Sequence, residues 1–288
     1  MKILITGTNG QLGQELHQHL SQKNHNLTGL NREELDLANP DNIRQILQEN
    51  KPDVIINAGA YTAVDKAESE PEIATAINGK APGILAEEAK KLNATLIHIS
   101  TDYVFDGSKS QPYLESDKTN PLGVYGSSKL EGEKAITAVG GNYMILRTAW
   151  VYGVGGKGNF VKTMLRLGGD REEIRVVCDQ VGSPTWTGDL AEAIGKLIEC
   201  EWEAGIYHYT NSGVASWYDF SVAIFEEAKQ RNFPLKIERV IPITTAEYPT
   251  PARRPAYSVL SSKKISAVLG NHPPHWRQSL RKMLENIK

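Results

Sequence analysis

Short apolar runs alternate with stretches of helical periodicity through the first half of the chain. The apolar runs, bounded by turn residues, predict strands over 2–6, 26–30, 53–57, 95–100 and 143–148. Apolar residues on one helical face predict helices over 14–23, 42–49, 71–92 and 131–139. Apolar strands that alternate with helices are typical of a parallel sheet covered on both faces. The pattern therefore predicts an α/β fold with a doubly wound parallel sheet.

The pattern changes after Trp150. A glycine-rich segment over 153–158 is followed by mixed helices and short strands, without internal repeats or low-complexity tracts. We expect one domain over 1–150 and a smaller, mixed α/β domain over 151–288. Some later segments are expected to return to the first domain.

Composition and charge exclude several classes of partner. With 32 Lys and Arg against 34 Asp and Glu, the chain has a net charge of −2 and lacks the basic excess of phosphate-neutralising nucleic-acid binders. Cys178 and Cys200 are too few for a disulfide framework or a zinc cluster, and they fit a reducing compartment. The opening MKILITGTNG does not read as a signal peptide, and no apolar stretch is long enough to span a membrane. We expect a cytoplasmic protein with small-molecule partners, no nucleic-acid partner and no membrane association.

The first predicted strand leads directly into a turn rich in glycine. Gly7, Gly10 and Gly13 give the spacing G-x-x-G-x-x-G between this strand and the first helix. Glycines here permit a tight turn, and the helix N-terminus presents unpaired N–H groups to a pyrophosphate. An ordinary glycine-rich turn is the alternative, but the position at the first strand–helix junction favours dinucleotide binding.

The end of the second strand bears on the choice of nicotinamide cofactor. A carboxylate there would bond a ribose 2′-OH and repel a 2′-phosphate, whereas here Leu30 is followed by Asn31 and Arg32. Arg32 can pair with a 2′-phosphate, which favours NADPH. In the alternative interpretation Arg32 is solvated or paired with Glu33 or Glu34, and NADH stays open.

A tyrosine, a lysine and a threonine form the candidate catalytic group. Tyr125 and Lys129 have the spacing Y-x-x-x-K, which places both on one helix face, and Thr101 closes the fourth strand. Reducing a ketone with hydride requires a proton for the developing alkoxide. We expect the Lys129 ammonium to lower the pKa of Tyr125, and Thr101 to hydrogen-bond the same oxygen. A solvated helix face is the alternative for the Tyr–Lys pair.

Together these motifs resemble the extended short-chain dehydrogenase/reductase superfamily and, within it, the dTDP-4-dehydrorhamnose reductase family. The blocks that carry the narrower resemblance are NAGAYTAVDKAE (57–68), STDYVFDG (100–107), LRTAWVY (146–152), NFVKTMLRL (159–167), DQVGSPT (179–185) and ARRPAYSVLSS (252–262). The resemblance implies a Rossmann-type NAD(P)-binding domain over 1–150 and a domain over 151–288 that mainly binds a sugar nucleotide. It implies NAD(P)H-dependent reduction of the 4-keto group of dTDP-4-dehydro-L-rhamnose to dTDP-L-rhamnose.

The resemblance also assigns roles to individual residues. It implies that Tyr125 is the proton donor and that Lys129 holds the nicotinamide ribose. It places Thr101, Asp102 and Trp150 at the substrate. The other residues that it places at the cofactor are Gly10, Gln11, Leu12, Asp36, Leu37, Ala60, Tyr61, Thr62 and Ile99.

Three further points are left as alternatives. Arg254, beside Arg253, is a candidate for the nucleotide diphosphate because guanidinium pairs well with phosphate, or else belongs to a surface loop. Some members of the family are associated with Mg²⁺; Glu15 is a conceivable ligand or a solvated helix carboxylate, and we predict no metal site. A homodimer also stays open.

Two rival functions are kept. A nucleotide-sugar epimerase or dehydratase of the same superfamily is one, although dehydratases commonly carry Asp-Glu after the catalytic threonine and here Asp102 precedes Tyr103. The other is a non-catalytic regulatory subunit of methionine adenosyltransferase, which resembles the same family. The intact Thr101, Tyr125 and Lys129 favour an enzyme.

Overall fold

Alternating strands and helices occupy most of residues 1–287, the part of the chain that the computed structural model describes. The strands are β1 Lys2–Thr6, β2 Asn26–Leu30, β3 Val54–Asn57, β4 Thr95–Thr101, β5 Tyr143–Thr148, β6 Val151–Tyr152, β7 Glu173–Val177, β8 Val181–Gly182, β9 Thr185–Trp186, β10 Gly205–His208, β11 Ala215–Ser216 and β12 Arg239–Ile243. The α-helices are α1 Gln11–Ser21, α2 Pro40–Asn50, α3 Val64–Ala67, α4 Pro71–Thr75, α5 Ala81–Lys91, α6 Val124–Val139, α7 Phe160–Asp170, α8 Thr187–Leu197, α9 Trp217–Gln230, α10 Lys263–Leu269 and α11 Trp276–Asn286.

A six-stranded parallel sheet forms the centre of the molecule. Its strand order is β10-β5-β4-β3-β1-β2, so the chain moves outward from β1 in both directions. This order makes the sheet doubly wound, and it confirms the predicted α/β fold class. The reversal of direction lies between β1 and β3, where such sheets open a crevice at their carboxyl ends.

Helices bury both faces of the sheet. On one face α1 and α8 pack together, with Leu16, Leu20 and Ile194 inaccessible to solvent. On the other face lie α2, α5 and α6, where Leu47 and Leu85 are equally buried. Complete burial of each such side chain stabilises the fold by about 1.5–3 kcal/mol. The strands therefore read as continuous apolar runs because neither face meets water.

The second half of the chain builds its own core and also returns to the sheet. Helices α7, α9 and α11 and the parallel pair β7–β12 enclose a separate apolar cluster around Phe220, Ile224 and Met283. Strand β10 pairs with β5 at the edge of the central sheet, and α8 packs on α1. The predicted boundary at residue 150 stays a prediction.

Several helices differ from the predicted bounds: α1 is Gln11–Ser21 against the predicted 14–23, and α2 is Pro40–Asn50 against 42–49. Helix α6 begins at Val124, so the predicted helix over 131–139 extends back through Tyr125 and Lys129, which the Y-x-x-x-K spacing places on one helix face. Gly126 and two serines are weak helix formers, so the apolar pattern indicates only the later part of this helix. The helical stretch from Pro71 to Lys91 contains a π-helical segment, Ala76–Lys80, that periodicity does not predict. Within residues 1–287, no helix has both the length and the apolar character needed to cross a membrane.

Candidate active site

The carboxyl ends of the parallel strands gather the predicted site residues at one edge of the sheet. The glycine turn follows β1, Ala60 follows β3, and Thr101 ends β4. Tyr125 and Lys129 reach the same edge from α6, which packs against β4. Ligands bind at this edge in doubly wound sheets.

The glycine turn is lined by backbone. Gly7 has φ +72°, and a Cβ there would lie 2.7 Å from the Cα of Gly59. Gly10 is the N-cap of α1 and provides no side-chain cap, while a side chain at Gly13 would overlap the Gly7 carbonyl. Two further predicted residues form the first turn of this helix, Gln11 and the buried Leu12. A bare helix N-terminus behind a tight turn fits the pyrophosphate of a dinucleotide.

Three predicted cofactor residues follow β2. Arg32 is exposed and has no ion-pair partner in the described chain, since Glu34 bonds a backbone N–H instead. Leu37 is buried beside Gly59, where an added Cβ would lie 2.7 Å from its Cδ1. Asp36 accepts a backbone N–H two residues further on at 3.0 Å. Arg32 is therefore available to a phosphate, whereas Asp36 also shapes its own loop.

The segment after β3 is held by a residue that sequence reasoning missed. Asn78, in the π-helical segment, accepts the Tyr61 N–H at 2.9 Å and donates to the Tyr61 carbonyl at 2.9 Å. The Tyr61 hydroxyl donates to Glu70 at 2.7 Å. Ala60 is half-buried and Thr62 is exposed. The π-helical segment thus fixes the backbone of the predicted cofactor residues.

The Tyr125 hydroxyl lies in a shielded environment beside Thr101. The Thr101 hydroxyl lies near that of Tyr125, and the ring of Tyr103 packs edge-on against that of Tyr125 at 5.5 Å between centroids. Desolvation raises the pKa of Tyr125 to about 12, with the nearby Thr101 hydroxyl opposing the shift and the Asp102 charge adding to it. A side chain at Gly126 would overlap the Tyr103 carbonyl, so glycine permits this close approach of α6.

Lys129 differs from its predicted electrostatic role. Its buried Nζ donates to the Ile99 carbonyl at 2.6 Å and lies 3.3 Å from His98 Nε2. Burial lowers the pKa of Lys129 to about 8, while the Glu133 charge raises it. The pKa of Tyr125 is raised and not lowered in this structure, because the desolvation of its hydroxyl dominates. Ile99, a predicted cofactor residue, contributes through its backbone.

Asp102 is a buried carboxyl group directly after Thr101. Its Oδ1 accepts the Thr101 hydroxyl at 3.1 Å. Burial raises the pKa of Asp102 to about 6, and the hydrogen bond from Thr101 opposes this shift; Oδ2 is buried and has no hydrogen-bond partner in the described part of the chain. Near neutral pH the group can therefore exist in both protonation states, as donor or acceptor to a sugar hydroxyl.

Trp150 lies where the central sheet meets the second apolar cluster. It has φ +49°, a left-handed conformation that is unusual for a bulky residue. Its ring stacks on that of Trp217, with 3.5 Å between centroids and 3° between planes. The Trp217 indole N–H donates to Gln180 at 3.2 Å. Backbone strain of this kind clusters at functional sites, and Trp217 was not predicted.

Arg254 lies near Tyr103, at the same edge of the central sheet as Tyr125. Its guanidinium contacts Asp65 with both terminal nitrogens, at 3.2 and 2.8 Å, and also hydrogen-bonds Thr250. Its charge acts on the Tyr103 hydroxyl beside Tyr125. Arg253 is exposed. Asp65 lies within the block 57–68, but no local signal showed that it pairs with a residue so distant in sequence.

No metal cluster supports a role for Glu15. Within residues 1–287, no group of three or more His, Cys, Asp or Glu residues could hold a metal ion. Burial raises the pKa of Glu15, and the nearby Val154 backbone and Thr187 side chain oppose this shift. Glu15 is thus a partly buried carboxylate between α1 and α8.

Comparisons with known proteins agree with this geometry over the whole chain. The family model described as RmlD substrate binding domain matches residues 1–288. A dTDP-4-dehydrorhamnose reductase of Burkholderia thailandensis is 44% identical over 290 residues, covering 97% of either chain. A crystal structure of a Clostridium acetobutylicum dTDP-4-dehydrorhamnose reductase superposes with a TM-score of 0.93 at 44% identity, covering 99% of both chains. That of Bacillus anthracis, solved in complex with NADP, superposes with a TM-score of 0.92 at 38% identity, covering 99% and 98%.

Proposed function

The chain belongs to the dTDP-4-dehydrorhamnose reductase family, and we propose from this that it reduces the 4-keto group of dTDP-4-dehydro-L-rhamnose with NADPH to give dTDP-L-rhamnose. The observation that carries the proposal is the juxtaposition of Tyr125 with Thr101 at the strand ends, next to a glycine turn that fits a dinucleotide.

The cofactor is proposed to lie across the β1–β3 crevice. Its pyrophosphate would meet the N-terminus of α1 at Gly10 and Gln11, and its 2′-phosphate would meet the exposed Arg32. Lys129 would hold the nicotinamide ribose. When bound, the nicotinamide supplies a hydride to carbon 4 of the sugar. NADH is proposed as a weaker alternative, because Arg32 has no role toward its free 2′-OH.

Tyr125 is proposed to supply the proton. Its raised pKa keeps the hydroxyl protonated at neutral pH, so it is a ready donor to the oxygen at carbon 4. Thr101, which lies beside that hydroxyl, would orient it toward the substrate oxygen. A cationic Lys129 in the same buried region would stabilise negative charge that develops on the Tyr125 oxygen.

The sugar nucleotide is proposed to contact Asp102, Trp150 and Arg254. Asp102 can hydrogen-bond sugar hydroxyls, Trp150 offers an aromatic surface, and Arg254 a cation for the diphosphate. Residues 151–288 are proposed to form mainly this part of the site, with 1–150 holding the cofactor. We propose no role for Mg²⁺. Arg254 is paired with Asp65, so a diphosphate would have to bind the part of its guanidinium that Asp65 leaves free.

The test is oxidation of NADPH by purified protein with dTDP-4-dehydro-L-rhamnose, run beside UDP- and GDP-linked 4-keto sugars. We expect turnover that depends on added reductant and is fastest with the dTDP-linked substrate. Protein that carries tightly bound NAD⁺ and needs no reductant would instead support an epimerase. Co-purification with methionine adenosyltransferase, without any turnover of the ketosugars, would support the regulatory subunit.

A further inference from the structure

A row of buried polar side chains crosses three strands behind the proposed site. Thr6 on β1 is in register with Asn57 on β3, which is in register with His98 on β4. Each of the three residues is 1% exposed. Lys129, itself 2% exposed, continues the row from α6. Apolar residues fill most of these strands, so an unbroken polar row requires an explanation.

Hydrogen bonds connect the row from end to end. The Thr6 hydroxyl contacts Asn57 Oδ1 at 2.7 Å, and Asn57 Nδ2 lies 2.9 Å from His98 Nδ1. His98 Nε2 lies 3.3 Å from Lys129 Nζ. At the other end, Thr6 Oγ1 accepts the Gly59 N–H at 3.0 Å. Lys129 is thus linked to the loop that packs against the glycine turn.

The imidazole determines how hydrogens are arranged along this row. Burial, assisted by the Lys129 charge, lowers the pKa of His98 well below its ordinary value, so the ring is neutral, with one donor and one acceptor nitrogen. As oriented in the structure, the Thr6 hydroxyl donates to Asn57 Oδ1 and Asn57 Nδ2 donates to Nδ1, so Nε2–H points to Nζ, which suits a neutral Lys129. When Lys129 is charged, the Asn57 amide must be turned by 180°. Nζ then donates to Nε2, Nδ1–H donates to the Asn57 amide oxygen, and the Asn57 NH₂ donates to Thr6. The same four residues therefore satisfy either charge state.

We propose that His98, held by Asn57 and Thr6, is a positioning residue for Lys129. Its Nε2 and the Ile99 carbonyl accept two of the three ammonium hydrogens, so the third faces the cofactor side of the site. The inference rests on the proposed function, because it assumes that Lys129 serves a bound nucleotide. None of the site residues predicted from the sequence has this positioning role.

The charged groups around Lys129 come from three elements. Glu133 lies one turn further along α6 and favours the ammonium. Glu133 is itself paired with Arg147 on β5, at 2.6 Å from Nη2 to Oε2. Tyr125 lies one turn before Lys129 on α6, and His98 approaches from β4 as a neutral group. A loss of the Nε2 acceptor would disfavour the charged lysine, since hydrogen bonds to a charged form stabilise it.

The experiment compares His98→Leu, His98→Gln and Asn57→Asp with the wild-type full-length protein. The titration of Lys129 is followed by NMR of ¹³C-labelled lysine, with its signal assigned by its loss in Lys129→Met. The pH profile of kcat/KM for NADPH oxidation is measured in parallel. His208→Leu is the matched control, because this histidine is also buried but contacts Arg147 and the Tyr113 carbonyl.

We expect His98→Leu to lower the titration midpoint of Lys129 by about one pH unit or more, the scale of one hydrogen bond to a charged group. The basic limb of the pH profile should move with it. His98→Gln should restore most of the shift, because its amide oxygen can accept. Asn57→Asp should raise the midpoint, since an acceptor-only carboxylate keeps the proton on Nδ1. His208→Leu should leave the midpoint at its wild-type value.

An unchanged midpoint in His98→Leu would overturn the proposal, as would an equal shift in His208→Leu. If His98→Leu does not fold, the test is Asn57→Asp. A titration midpoint of Lys129 that is unchanged or lowered in this variant would overturn the proposal. The NMR titration needs no substrate. A chain that shows the expected shifts without reducing the ketosugar therefore loses the proposed function but keeps the coupling of His98 to Lys129.

Discussion

The guanidinium of Arg254 donates hydrogen bonds from both of its terminal nitrogens to the carboxylate of Asp65, at 2.8 and 3.2 Å. The pair fixes a proline-rich loop near the chain end to the segment that follows β3. The hydrogen bond from Arg254 lowers the pKa of Asp65, so the pair stays charged at neutral pH. Any contact of Arg254 with a diphosphate must therefore be made beside, or in exchange for, this carboxylate.

Neutralising Arg254 and Asp65 in separate variants should show whether Arg254 binds the substrate or only holds its loop in place. We expect Arg254→Met to raise the KM for the dTDP-ketosugar about tenfold or more, as the loss of a charge-assisted bond implies. Asp65→Asn should raise it much less, because the cation is retained. Equal KM values in both variants would show that the pair only holds the loop. Steady-state kinetics at saturating NADPH provide the measurement.

Removal of the Tyr125 hydroxyl should abolish most of the chemistry. We expect Tyr125→Phe to reduce kcat by about 10²–10⁴-fold, the usual contribution of a positioned proton donor. NADPH affinity, followed by its fluorescence, should be nearly unchanged. Tyr103→Phe is the control, because this neighbouring ring packs edge-on against Tyr125 and has no role as donor. Wild-type turnover in Tyr125→Phe would remove the residue from the mechanism.

Arg32 should distinguish the two nicotinamide cofactors. It is exposed and unpaired in the described chain, so a 2′-phosphate would be its first strong partner. We expect Arg32→Ala to lower kcat/KM for NADPH about tenfold, equivalent to about 1.4 kcal/mol, with little change for NADH. Arg44→Ala, at a half-buried arginine of α2 that pairs with Asp41 and Glu88, should change neither value. An equal loss with both cofactors would assign Arg32 a structural role.

Asp102 should make stability depend on pH in a defined direction. Its folded pKa of about 6 exceeds the unfolded value of about 3.9, so the folded state binds more protons between these values. Its stabilising contribution is complete below the unfolded pKa and is lost as pH rises through about 6. The free energy of unfolding of Asp102→Asn, relative to that of the wild type, should therefore rise by up to about 3 kcal/mol between about pH 4 and pH 7.

Urea unfolding of wild type and Asp102→Asn across that pH range measures the difference directly. Other carboxylates titrate over the same interval, but they are common to both proteins and cancel in the comparison. Parallel stability curves would mean that the Asp102 carboxyl ionises normally in the folded state.

The sequence predicts the central sheet well and its polar contacts poorly. Lys2–Thr6 and Tyr143–Thr148 have the predicted bounds, because strands buried on both faces must be continuous apolar runs. The bond between Arg254 and Asp65 joins residues 189 positions apart, and no periodicity encodes such a pair. In the sequence His98 is one polar residue in an apolar strand. Its contact with Asn57 becomes apparent only when β3 lies beside β4.

The second half of the chain is harder to predict for a different reason. Strands such as Val151–Tyr152 and Thr185–Trp186 contain two residues each, too few to show an alternation of apolar and polar positions. Their pairing depends on contacts across the core formed by α7, α9 and α11.

Strand β10 also determines when the protein can fold during its synthesis. It covers the edge of β5, yet the chain must pass through β6 to β9 before reaching it. A nascent chain that has emerged only to residue 150 therefore exposes a bare apolar edge strand, which is prone to pair with other chains. The ribosome must release Gly205–His208 before β5 can be paired on both of its sides, so messages truncated earlier should yield aggregates and not a smaller cofactor-binding protein.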